Sequence, residues 1–177
     1  FETEHAANSN RHTAQVLLDL AKAFELVPHD VLLDAARRYN FPLWLLRMSL
    51  AAYRLSRRIG VAGIYGEAVR ATRGITAGSA FACVELRLLL MRMIKDTYRV
   101  CPTLSTLGWL FIYVDDITII WVSDSWAHAA DICAQLADHI INWLNGPLRL
   151  KVSPTKSFVV GTRLKTALRA IKAARAP

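Results

Sequence analysis

Two adjacent carboxylates, Asp115 and Asp116, interrupt the run Leu110-Phe111-Ile112-Tyr113-Val114-Asp115-Asp116-Ile117-Thr118-Ile119-Ile120-Trp121, which is otherwise apolar, β-branched and aromatic. Burying even one unpaired carboxylate is costly, so the pair needs a counter-charge or a turn that brings it to the surface. Neighbouring like charges repel unless a divalent cation sits between them, and hard oxygen ligands suit Mg²⁺ or Mn²⁺. A third carboxylate, Asp19, closes another apolar run, Thr13-Ala14-Gln15-Val16-Leu17-Leu18-Asp19. Three carboxylates converging from the two runs would hold two metal ions. Two metals about 3.5–4 Å apart activate a 3′-hydroxyl nucleophile and stabilise the leaving oxygen in phosphoryl transfer. The competing reading is a solvated hairpin turn, to which Asp is well suited.

The elements that must position these residues are legible in outline. The run around Asp115 predicts a β-hairpin, with strands over 107–113 and 117–122 and a tight turn at 114–116. Residues 13–20 read as a buried strand with Asp19 at its end. Pro28 and the polar pair after it open a helix over about 30–39 that turns Val31, Leu32, Ala35 and Ala36 to one side. A second helix, 42–58, carries Leu45, Leu46, Ser49, Leu50 and Tyr53 inward and ends in an arginine-rich turn. Gly60, Gly63 and Gly66 break 59–73 into a small hairpin. Arg73-Gly74-Ile75-Thr76-Ala77-Gly78-Ser79 is a glycine-flanked loop before the long apolar helix 79–98. Such glycines let backbone N–H groups approach a ligand, and ordinary N-capping by Ser79 accounts for the pattern equally well. Residues 123–145 form an amphipathic helix with Ala129, Ile132, Leu136, Ile140 and Trp143 at 3.6-residue spacing. Residues 148–153 and 156–160 make a short extended pair around Pro154, and a basic helix follows from Arg163. The expected class is α+β, with helices packed on one face of an antiparallel sheet. Neither a repeat nor a low-complexity linker interrupts residues 1–177, so a single domain without an internal boundary is expected.

With 177 residues, 54% of them hydrophobic, the chain is long enough for a sizeable core. No uncharged apolar stretch reaches the roughly 18 residues of a membrane span, so no membrane partner is expected. Three widely spaced cysteines, Cys83, Cys101 and Cys133, indicate neither a disulfide framework nor a zinc site. No signal peptide is visible, which favours an intracellular protein of nucleus or cytoplasm, and the start without Met reads as part of a longer chain. Of the net charge of +8, residues 36–74 contribute eight arginines against the single acid Glu67. Residues 163–177 add Arg163, Lys165, Arg169, Lys172 and Arg175 with no acid. Segregation of that kind suits a polyanionic partner, since phosphate contacts come mainly from clustered Lys and Arg. A solvated basic face is the alternative.

The segment Leu17-Leu18-Asp19-Leu20-Ala21-Lys22-Ala23-Phe24-Glu25-Leu26-Val27-Pro28-His29-Asp30 resembles the first catalytic motif of reverse transcriptases, especially those of non-LTR retrotransposons. Arg73–Ser79 with the helix after it resembles the second motif, and Tyr113-Val114-Asp115-Asp116 the third. Leu150-Lys151-Val152-Ser153-Pro154-Thr155-Lys156-Ser157 resembles the fourth. Four motifs thus stand in the family's order over roughly residues 14–160. The resemblance implies a polymerase palm with part of the fingers and no thumb, acting as an RNA-directed DNA polymerase on an RNA template, a DNA primer and dNTPs. It implies two Mg²⁺ or Mn²⁺ ions held by Asp19 and Asp115, with Asp116 in support and the Leu20 carbonyl able to join.

Further roles come from the same resemblance. Phe24 falls at the steric gate that excludes a 2′-hydroxyl, unless it is plain core. Gly78 and Ser79 would lie against the dNTP. Lys156 would stand near the pyrophosphate leaving group as a proton donor, unless it is simply an exposed turn lysine. Arg54, Arg57, Arg58 and Arg73 would meet nucleic acid. Two departures stand out. Thr76-Ala77-Gly78 occupies the place of the family's Pro-Gln-Gly, which removes a side-chain amide. Only 18 residues precede Asp19 and nothing after Pro177 builds a thumb, so the missing fingers and thumb segments are assigned to a parent polyprotein. An RNA-dependent RNA polymerase palm is disfavoured by the aromatic Phe24, and a non-catalytic nucleic-acid-binding relic is the alternative from another class.

Overall fold

The computed structural model describes residues 11–174. In chain order these form β1 (His12–Ala21), α1 (His29–Arg38), α2 (Leu43–Tyr53), β2 (Gly60–Val61), β3 (Ile64–Tyr65), α3 (Ala82–Val100) and α4 (Leu104–Leu107). There follow β4 (Gly108–Tyr113), β5 (Asp116–Ser123), α5 (Trp126–Asn145), β6 (Lys151–Val152), β7 (Phe158–Gly161) and α6 (Leu164–Ala173). The expected α+β plan is present. Contacts divide the described residues into two compact units, one of residues 11–21 and 92–174 and the other of residues 22–91. No change of composition marks either crossing, and the second falls inside α3.

The first unit is built on β1. This strand is antiparallel to β5 from His12 to Asp19, and β4 extends the sheet beyond β5. The two short segments 151–152 and 158–161 do not pair with each other, as the sequence suggested. Both pair with β1, at Leu20–Ala21 and at Ala14–Leu17 respectively. The physical reason is that a ten-residue strand bonded to β5 on one side still has a second row of N–H and C=O groups to satisfy. One face of the sheet carries Ala14, Val16, Leu18, Leu20, Ile117 and Ile119, all buried, and α5 packs on β1 and β5 there. The buried side of the helix is rich in small residues, Ala129, Ala130, Cys133, Ala134 and Ala137, and Cys133 lies against Ala14 and Ile119 of the sheet. Ser125 caps α5 by accepting from the His128 N–H at 3.4 Å.

Cys133 makes that packing testable. Its thiol lies 3.6 Å from the Ala14 carbonyl and 3.8 Å from that of Ile119, and burial pushes its pKa up to about 12. At pH 8 in native buffer, iodoacetamide should modify the exposed Cys83 and leave Cys133 untouched, as read by mass spectrometry of tryptic peptides. Comparable labelling of the two would mean that α5 does not sit on β1.

The unit of residues 22–91 packs α1 on α2 and carries the β2–β3 hairpin. The second helix ends at Tyr53, earlier than the expected 58. Arg57 exchanges both backbone bonds with Val69, at 2.9 and 2.8 Å, so the chain leaves the helix to enter a hairpin neck. Arg54, Arg57 and Arg58 therefore stand on a connecting segment and not on a helical turn.

Candidate active site

Hairpin register sets the acidic centre. Tyr113 faces Asp116 at the end of the β4–β5 ladder, leaving Val114 and Asp115 as a two-residue loop. Val114 has φ +57°, a left-handed conformation that a β-branched residue adopts only at a cost of about 1–3 kcal/mol. Backbone strain at this position is a feature that a structural turn would avoid with Asn or Gly. Asp19 and Asp116 are Cα partners, the last pair of the β1–β5 ladder. Residues directly opposite in an antiparallel pair send their side chains to one face, with Cβ atoms about 4.5–5.5 Å apart. That face is the one away from α5, because the preceding pair Leu18 and Ile117 is buried on the helix side. Asp115 joins through its backbone, its carbonyl accepting from the Leu20 N–H at 3.2 Å.

Asp19 and Asp116 thus share a face at one end of the sheet, with Asp115 in the turn beside them. Among the described residues, no three His, Cys, Asp or Glu side chains are gathered tightly enough to hold a metal. The register sets Asp19 opposite Asp116, and the three carboxylates do not form the closed cluster that the sequence led us to expect. By chemistry the donors fit: three carboxylates and a backbone carbonyl are the hard oxygen set that Mg²⁺ and Mn²⁺ take.

The turn between β6 and β7 grips Asp19 from the other side. Ser153 N–H donates to the Asp19 carbonyl at 2.8 Å, and Asp19 N–H donates to Ser157 Oγ at 3.2 Å. Ser157 in turn donates to the Ser153 carbonyl at 2.7 Å. Both backbone groups of Asp19 are therefore fixed by one five-residue turn, and Lys156 is exposed on that turn. Ser153 and Ser157 lay inside the fourth motif without an assigned part. The signal that could have found them is a pair of hydroxyls at i and i+4 around Pro154.

The other substrate candidates belong to residues 22–91. Phe24 is half-buried, and its carbonyl accepts from Ile75 N–H at 2.8 Å; beside it, Gly74 N–H donates to the Val27 carbonyl at 2.7 Å. A Cβ on Gly74 (φ +93°) would stand 2.7 Å from the Glu25 carbonyl oxygen, so only glycine lets these two loops close. His29, buried, fastens the same place. Its Nε2–H donates to the Gly74 carbonyl at 2.7 Å, and its Nδ1 accepts from Arg54 Nε at 3.1 Å, which assigns a single neutral tautomer.

Gly78 has φ +84° and open space around it. Ser79 does not cap the helix: its Oγ lies 3.0 Å from the Tyr53 hydroxyl, itself 2.9 Å from Glu85 Oε2. The phenolic proton goes to the carboxylate, the stronger acceptor, and Ser79 donates to the phenol. Burial, opposed by the bond to Ser79 and aided by Glu85, raises the Tyr53 pKa above its ordinary value. Glu85 is fully buried, and its Oε1 has no partner among the described residues. Nothing in the apolar pattern of 79–98 announced that buried acid.

The four arginines expected to meet nucleic acid divide. Arg54 is spent in part on His29, and Arg57 donates to the Tyr53 carbonyl at 3.1 Å. Arg58 and Arg73 have no partner among the described residues. In the basic C-terminal stretch, Arg169 forms a two-pronged pair with Asp131, both bonds 2.7 Å, and Lys165 stacks on Trp126 at 4.5 Å. Those two cations serve the α5–α6 contact, so this stretch offers less free charge than its sequence suggested. Arg175 lies outside the described residues.

Residues 1–166 match the sequence pattern of the family described as "Reverse transcriptase (RNA-dependent DNA polymerase)". No curated protein matches the chain in sequence. Among solved structures, apo telomerase from Candida tropicalis truncated from its C-terminal domain is similar, with TM-score 0.65 and 10% identity, over 90% of this chain and 33% of that one. Telomerase from Candida albicans, in complex with a TWJ fragment of telomeric RNA, gives TM-score 0.64 and 12% identity, over 93% of this chain and 30% of that one. At such identities the likeness shows the fold alone, the helix-backed antiparallel sheet of a polymerase palm. The chain spans about a third of the telomerase chains it matches.

Proposed function

Because this chain belongs to the reverse transcriptase family, we propose that it supplies the palm and part of the fingers of an RNA-directed DNA polymerase of retrotransposon-like type. The observation that supports this best is the pairing of Asp19 with Asp116 across β1 and β5, beside a strained turn that carries Asp115. Asp19, Asp115 and Asp116, with the Leu20 carbonyl, would hold two Mg²⁺ or Mn²⁺ ions. Bound there, the ions would activate the primer 3′-hydroxyl and neutralise charge on the transferred phosphate. The chain's own residues would do the positioning. Ser153 and Ser157 hold the Asp19 backbone still. Phe24 would bear on the sugar of the incoming dNTP, Gly78 and Ser79 would flank it, and Lys156 would give a proton to the leaving pyrophosphate. Arg58 and Arg73 would meet the phosphates of the RNA template or DNA primer.

The test is a primed RNA template titrated against salt, followed by dNTPs and Mg²⁺. Affinity should fall steeply with salt, because it comes from phosphate neutralisation. Positioning can supply about 7–11 kcal/mol of a barrier, so incorporation should appear only when the chain is flanked by the fingers and thumb of its parent protein. Salt-sensitive binding with no incorporation in any flanked form would favour the relic, a reading that Thr76-Ala77-Gly78 in place of Pro-Gln-Gly supports. Absence of strand binding would sink both.

A further inference from the structure

We propose that the hollow between Arg57, Arg73 and the 74–77 loop is a discrete binding site for a phosphate group, set within the unit of residues 22–91. It has a volume of about 450 Å³ and is lined by Glu25, Tyr53, Arg57, Arg73, Ile75 and Thr76 among others. That is room for a phosphodiester with an attached sugar, and small-molecule sites begin at roughly 300 Å³. Two guanidiniums face one carboxylate in the lining, and Glu25 is exposed, where water screens it.

The site is built before any ligand arrives. Arg57 is pinned in its main chain by both bonds to Val69, and its Nη2 is held by the Tyr53 carbonyl at 3.1 Å and by Thr76 Oγ1 at 3.4 Å. A guanidinium anchored at one nitrogen keeps its remaining donors in a fixed fork, the geometry that grips phosphate with little ordering cost. Arg73 has no partner among the described residues and is followed by Gly74, whose backbone is locked to Val27 and His29. The N–H groups of Thr76, Ala77 and Gly78 likewise donate to no acceptor among the described residues. Successive free N–H groups leading into a left-handed glycine, here Gly78 at φ +84°, form an anion-binding concavity. Two cations and the unspent N–H groups of Thr76 and Ala77 therefore border one hollow, with Gly78 following directly. The proposal deepens the polynucleotide reading above and rests on it only for whose phosphate is bound, that of a strand backbone or that of a free nucleotide.

The experiment uses the whole 177-residue chain. Backbone amide resonances are followed by ¹⁵N NMR as inorganic triphosphate is added, and binding of a fluorescent single-stranded oligonucleotide is measured against salt. The expected result is saturable shifts at Thr76, Ala77 and Gly78 that are lost in Arg57→Gln/Arg73→Gln. For the oligonucleotide, that double variant should lower the log–log salt slope by about 1.4, two contacts at ~0.7 each on a single strand. Arg37→Gln/Arg47→Gln, on the exposed faces of α1 and α2, should move the slope less. Triphosphate shifts that strand cannot compete away assign the site to free nucleotide; competition assigns it to the backbone. Should the pocket variant misfold, the wild-type shifts still decide. Shifts absent from 76–78 overturn the pocket while leaving general strand binding intact, and equal slopes in the two double variants rule out the strand backbone as its ligand. A chain that binds no strand but shifts at 76–78 with triphosphate keeps the pocket and loses the polynucleotide reading.

Discussion

Asp115→Asn, introduced into the parent protein, should reduce dNTP incorporation at least about 10³-fold while leaving strand affinity within a factor of about 2. The substitution keeps shape and the backbone bond from Leu20 N–H to the residue-115 carbonyl, and removes only a charge and a hard ligand. Charge stabilisation by metal is worth several kcal/mol, and each 1.36 kcal/mol is about tenfold in rate. Asp19→Asn should match it. Asp116→Asn distinguishes two accounts of the site. Family resemblance makes Asp116 the supporting acid, with a smaller loss, whereas strand register pairs Asp116 and not Asp115 with Asp19. A loss at Asp116 equal to that at Asp19 would give the register precedence. Thermal stability supplies the control for all three. Removing one of several like charges relieves repulsion, so the melting temperature should hold or rise without metal, and a marked fall would mark a structural residue instead. Unchanged incorporation in both Asp19→Asn and Asp115→Asn would remove the polymerase reading.

What was legible in the sequence was legible through local pattern. The hairpin around Asp115 is apolar on both sides of a charged turn, so its strands and tip follow from alternation and turn chemistry. Asp19 at the end of a buried run follows in the same way. Partner choice does not. Residues 151–152 and 158–161 look like each other's partners because they are close in sequence, yet β1 claims both through bonds that span more than a hundred positions. The early end of α2 was hidden because Arg57 and Val69 settle it between them across twelve residues. Least legible were polar groups inside apolar segments. His29, after Pro28, and Glu85, within the apolar stretch 79–98, are both buried, and their partners, the Gly74 carbonyl and the Tyr53 hydroxyl, are supplied only by the fold. Family motifs located the acids and the glycine loop, but not the backbone clamp of Ser153 and Ser157 on Asp19.

Phe24→Ala should relax sugar selection in the flanked polymerase by roughly 10²-fold in the ratio of rNTP to dNTP use, with dNTP incorporation reduced only modestly. A core phenylalanine would be buried, whereas Phe24 is only half-buried and is absent from the buried apolar set that includes Ala23 and Val27 on either side. Its backbone is nevertheless held, because the carbonyl accepts from Ile75 N–H at 2.8 Å and the adjoining Gly74 closes the same loop pair. A flat ring under a sugar would exclude an added 2′-hydroxyl by contact alone. Steric exclusion of one hydroxyl is worth about 10² where no buried polar partner is left unpaired. Phe24→Tyr should preserve discrimination because the ring persists, and Phe24→Leu should fall between. The folding readout separates the alternatives. If Phe24 is core, Phe24→Ala should cost about 3–5 kcal/mol and leave discrimination unchanged. If it is the gate, the loss of stability should be well below that range and the change should appear in the choice of sugar.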